Sequence, residues 1–284
     1  MPRHNRRRAP AGLVTRPSDR KGPPCWFARA SLTRLAPPVI ACFLIVAPVF
    51  AQWEGYPTPG IPRLADGKPN LSAPAPKTPD GRPDLSGIWL ASRAIFDLRQ
   101  AMKPGETIPL SAEGDALFKQ RQATLSKDDP SARCLPTGLP VRALLRTPFK
   151  ILQTPGTTGI LYESGMRFRQ ILTDGRPLPK AIDWPAWQGF SVGRWDADTF
   201  VVTTSGFNGK AWLDQAGFPE SDAMTITERF HRRDFGHMDM QMTMNDPKMY
   251  TKPWSIDAQF VLQVDTELLE FVCEDNERDS SVIR

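Results

Sequence analysis

A phenol and two guanidiniums, Tyr162, Arg167 and Arg169, flank the dipeptide Ser164-Gly165, a turn signal between two runs of alternating side chains. If the chain reverses there, Tyr162 faces Arg167 and Ile160 faces Arg169. The three polar groups then share one sheet face, while Leu161, Phe168 and Leu172 occupy the other. Guanidiniums present planar paired donors, so such a face is either an anion or carboxylate receptor or a solvated outer surface. A second polar group comes from two loops, Asp174 with Arg176 and Asn208 with Trp212, beside Trp184 and Trp187. Loops at a barrel mouth are where ligands enter. For acid–base chemistry the candidates are His237, Glu228 and Asp214, with Arg169 placed to stabilise negative charge.

Other chemistries find less support. Beyond residue 51 the only histidines are His231 and His237, too few for a histidine-built metal centre, so no metal is expected. Met238, Met240, Met242 and Met244 alternate with polar residues and put thioethers on one strand face. That face is either a soft-metal site or, as the simpler reading has it, core filled by flexible side chains. No glycine-rich phosphate loop, serine-hydrolase elbow, cysteine–histidine pair or paired-cysteine metal motif is present, and no cofactor is expected.

The start of the chain reads as a targeting segment. Nine basic residues lead into an apolar run, Leu35 to Phe50, and Val49-Phe50-Ala51 fits a signal-peptidase site before Gln52. At 16 residues with three prolines, that run is short for a membrane span. No stable span is expected once residues 1–51 are removed. Of 36 basic and 31 acidic residues, nine and one fall in this leader, which leaves a formal charge of −3. The basic balance therefore belongs to the leader, and a nucleic-acid partner is not expected. Cys25 and Cys42 depart with it, leaving Cys134 and Cys273, which in an oxidising compartment read as one disulfide.

The elements that must position these groups are mostly strands. Residues 52–86 are proline-rich and repeat a phrase, Asp66-Gly67-Lys68-Pro69 returning as Asp80-Gly81-Arg82-Pro83, and read as an extended linker or strap. Residues 87–284 form the remaining domain. Ser111 can cap a helix running to about Leu125, and Gly87-Ile88-Trp89-Leu90 reads as a first strand. From Phe149 onward, alternating runs separated by Pro155-Gly156, Ser164-Gly165, Asp196-Ala197-Asp198, Phe235-Gly236 and Asp265-Thr266 predict antiparallel strands to Cys273. Nine or ten such strands in an open sheet would leave two bare edges. The expected fold is thus mainly β, an antiparallel up-and-down, calycin-like barrel with one or two short helices.

Pro83-Asp84-Leu85-Ser86-Gly87-Ile88-Trp89, Arg133-Cys134-Leu135-Pro136, the run Phe168 to Pro179 and Glu228-Arg229-Phe230 with Asp234-Phe235-Gly236-His237 resemble a family of secreted proteins of unknown function, abundant in acidobacteria. The resemblance spans roughly Gln52 to the C-terminus. Gly87-Ile88-Trp89 is also similar to the first-strand signature of lipocalin-like barrels. The first resemblance carries no established activity and the second supports only the barrel; the apolar strand faces with the Arg and Trp residues are read as a periplasmic or extracellular barrel that binds a small, partly apolar molecule, one bearing an anionic carboxylate or hydroxyls. The alternatives are a barrel enzyme doing isomerase, lyase or hydrolase chemistry, and an extracellular structural or interaction protein.

Overall fold

A computed structural model describes residues 56–273, apart from Ala181 and the side chain of Met166. The leader expected over 1–51 lies outside the described residues. Nine strands are described: β1 Gly87–Ala91, β2 Phe149–Thr154, β3 Thr157–Tyr162, β4 Arg167–Leu172, β5 Phe190–Asp196, β6 Thr199–Ser205, β7 Thr225–Arg232, β8 His237–Asn245 and β9 Trp254–Gln263. They close in sequence order into one barrel, β9 pairing back onto β1. Two helices accompany them, α1 Ala112–Ala123 and α2 Leu139–Leu144. Ser111 caps α1, its Oγ accepting from Gly114 N at 3.0 Å.

Parity explains the one departure from antiparallel order. A ring with an odd number of strands cannot alternate direction all the way round, so one neighbouring pair must run parallel. That pair is β4–β5, joined through only two partner positions, Ile171↔Ser191 and Leu172↔Val192. A parallel link must carry the chain back the length of the barrel, which the crossover 173–189 does. Sequence reasoning also expected a strand over Glu267–Cys273 beside β9. Those residues form none, because β1 already occupies that edge.

Alternation fills the barrel. Met238, Met240, Met242 and Met244 point inward with Phe200, Phe230, Trp89, Phe149 and Phe260, all 4% exposed or less. The methionine row is core, where the unbranched thioether fits irregular gaps. Residues 56–86 lie across the barrel as two copies of one turn. Arg63 bridges Pro69 and Lys77 bridges Pro83, and in each the glycine, Gly67 or Gly81, takes a left-handed φ of 83° or 82°. The strap is fastened by Gly236 N to Leu71 O and Phe235 N to Ala73 O, each 2.7 Å, and by burial of Leu85. Arg232 closes the same region. It is sandwiched against Trp89 and Phe235 and donates to the carbonyls of Asp84, Asp234 and Phe235.

The Cys134–Cys273 disulfide is present, with Cα atoms 5.8 Å apart. It ties the 3-10 turn Pro130–Arg133 to the segment that follows β9.

Candidate functional site

The β3–β4 register is Tyr162↔Arg167, Leu161↔Phe168 and Ile160↔Arg169, as the Ser164-Gly165 turn required. The two faces then have unexpected environments. The polar face is the barrel interior, where Tyr162 and Arg169 are 6% and 4% exposed, whereas Leu161 and Phe168 face outward at 37% and 68%. Arg167, at the strand end, is exposed and donates Nη2 to Cys134 O at 3.2 Å.

Inside the barrel Arg169 organises a small polar cluster. Its Nε donates to Ser191 Oγ at 3.0 Å and its Nη2 to Thr204 Oγ1 at 2.6 Å and to a Glu228 carboxylate oxygen. These partners come from β5, β6 and β7, so the cluster spans the barrel behind the parallel seam. Burial opposes the guanidinium charge, but Glu228 and then Tyr162 outweigh it and hold the pKa above the ordinary arginine value. Burial also pushes the Tyr162 phenol up. Glu228 cancels the charge of Arg169, which removes the reason to expect a carboxylate ligand at this point.

The parallel seam opens outward from this cluster. Because β4 and β5 share only two partner positions, the crossover approaches β4 loosely and leaves a cavity of about 470 Å³. Arg169 and Ser191 form its inner wall, Phe168, Trp187 and Phe190 an apolar side, and Arg167 and Arg176 the rim. Asp174 holds Arg176, with Nη2 2.5 Å from Oδ2. Three buried polar atoms at this wall have no hydrogen-bond partner among the described residues: Arg169 Nη1 and both amide atoms of Gln188. A buried group left without a partner costs about 1–3 kcal/mol, so such groups mark a place where a partner is wanted.

Other predicted residues lie elsewhere. Asn208 accepts from Lys210 N in its own loop, and Trp212 is buried beneath the Arg121 guanidinium, 4.6 Å from its ring. The three acid–base candidates do not converge. Glu228 belongs to Arg169. His237 Nδ1 lies 2.7 Å from Asp234 Oδ1 at the β7–β8 turn. Asp214 accepts from the backbone N–H groups of Leu98, Gly217 and Phe218, an arrangement that fastens loops. Sequence reasoning missed Ser191, Thr204 and Gln188, since a hydroxyl in a strand and an amide in a crossover carry no local signal. Around Asp214 it also missed Glu220, a carboxyl only 2% exposed and without a side-chain hydrogen-bond partner among the described residues.

Burial pushes the Glu220 carboxyl up to about 8, with Asp246 adding to the effect while Ala211 N–H and Arg121 oppose it. The folded form therefore binds this proton more tightly than the unfolded chain does. Stability from this group is full below about pH 4.5 and is lost as pH rises to about 8, on the order of 5 kcal/mol in all. Urea titrations of Glu220→Gln and the parent chain are expected to differ little at pH 4.5, with the variant clearly more stable at pH 8.5. Parallel curves at both pH values would rule this out.

No protein-family model matches the chain, and no curated protein matches its sequence.

Proposed function

We propose that this chain is an exported binding protein whose ligand, a small and partly apolar molecule, occupies the cleft at the β4–β5 seam. The observation that carries the reading is the set of unanswered polar atoms, Arg169 Nη1 and the Gln188 amide, at the inner wall of a 470 Å³ cavity with one apolar, aromatic side. Volumes of ~300–1,000 Å³ with a few fixed polar groups are typical of small-molecule sites. With Arg169 neutralised by Glu228, the buried end offers two donors and an acceptor without net charge, a complement for a carboxamide or similar neutral group. The aromatic wall would take an apolar body, and Arg167, which has no carboxylate partner among the described residues, would tolerate an anionic outer end. A disulfide, together with the leader, supports a location outside the cytoplasm.

Ligand-observed NMR with the matched probes 2-naphthamide and 2-naphthoate at pH 7.5 tests this reading. The amide is expected to bind at least about tenfold more tightly, since one hydrogen-bonding mismatch at a buried site costs ~1–3 kcal/mol. Ala186→Trp, which fills the cleft from a lining position, should abolish binding with the fold retained. Binding unaffected by Ala186→Trp would place the ligand elsewhere. Preference for the naphthoate would sink the neutral-head assignment alone.

A further inference from the structure

Three arginines are buried in the described residues, and they are balanced differently. Arg169 has Glu228. Arg232 has three backbone carbonyls and two aromatic faces, with Asp84 and Asp234 within electrostatic reach. Arg142, on α2, is 6% exposed and makes one hydrogen bond, Nη1 to Ser164 O at 2.8 Å, with its Nε buried and unpartnered. Among the described residues the charged side chain that acts on it is a second cation, Arg167, and its guanidinium lies 5.6 Å from the Tyr162 ring. An uncompensated buried charge costs several kcal/mol and ordinarily acquires a counter-charge.

Arg142 and Arg167 line one small, partly open hollow of about 80 Å³ beside the Cys134–Cys273 disulfide. Ser131, Thr137 and Thr147 line it too, and no acidic residue does among the described residues. Two guanidiniums and the neighbouring hydroxyls can turn N–H and O–H donors toward a monoatomic anion beside the Ser164 and Cys134 carbonyls that Arg142 and Arg167 already bond, and the hollow has room for one with a water beside it. We propose that this hollow is a small-anion site, filled by chloride or an ion of its size, which offsets the charge of Arg142. The site is separate from the cleft but shares Arg167 with it, so the anion would also steady one rim residue of the ligand cavity.

Bromide is the probe. A crystal of the disulfide-intact chain soaked in bromide should show an anomalous peak within hydrogen-bond distance of both guanidiniums, absent from Arg142→Met. In solution at constant ionic strength, replacing gluconate by chloride should raise the Tm by about 3–6 °C at tenfold excess over the dissociation constant. Arg167→Gln, at an exposed position, should weaken that rise without threatening the fold. Arg142→Met should lose it while matching the parent in gluconate, where the charge it removes is uncompensated. No bromide peak, or a hollow filled by a carboxylate from Glu274 or Asp275, which lie outside the described residues, would overturn the proposal. So would an equal chloride effect in parent and Arg142→Met.

Discussion

Replacing Arg169 by methionine is expected to cost the fold about 3–5 kcal/mol, and replacing Glu228 as well is expected to restore most of it. Arg169 and Glu228 are 4% and 2% exposed, so either one alone is a charge held inside the barrel without its partner. The double variant Arg169→Met with Glu228→Leu leaves an apolar pair that packs against Met242, the cross-strand partner of Glu228. Ser191 and Thr204 keep each other, their hydroxyl oxygens being 3.0 Å apart. Guanidinium titrations of the two single variants and the double variant give the coupling. Additive losses would mean that the pair is not what balances the interior.

Reducing the Cys134–Cys273 disulfide is expected to lower stability by about 4–5 kcal/mol. The bond closes a loop with a sequence separation of 139, and the entropy that it removes from the unfolded chain grows with the logarithm of loop length. Among the described residues the folded state has few other ties here. After β9 the chain is held by Asp265 to Thr58 and Arg63, by the Lys150–Glu267 ion pair at 2.5 Å, and by Leu269 N to a Glu163 carboxylate oxygen at 2.9 Å. All but the first are at exposed positions, where ion pairs contribute roughly 0–1 kcal/mol. Denaturation of the Cys134→Ala, Cys273→Ala chain measures the effect. A loss under ~1 kcal/mol would show that the bond constrains an unfolded state already compact in this region.

The barrel was legible because each strand carries its own period-2 pattern and each turn its own punctuation. The β3–β4 register followed from Ser164-Gly165 alone. The direction of the faces was not legible, since Tyr162 and Arg169 are polar and Phe168 apolar, and only the distant Glu228, Ser191 and Thr204 make the polar face the buried one. The cleft was hidden for a different reason. It arises from parity, an odd strand count forcing one parallel and poorly joined pair, and no single segment encodes that. Gln188 therefore looked like an ordinary crossover residue. Conversely, Asp214, Asn208 and Trp212 looked functional because loops rich in polar and aromatic groups often are, yet their partners are backbone amides and a stacked arginine.

The most direct measurement is a crystal structure of the chain soaked with a library of neutral and anionic aromatic fragments. Fragments are expected in the cleft between β4 and the 173–189 crossover, their polar ends bonded to Arg169 Nη1 and the Gln188 amide and their rings against Trp187 and Phe190. A cleft without fragments, with Gln188 turned onto a protein partner and the hits gathered on another surface, would contradict the account.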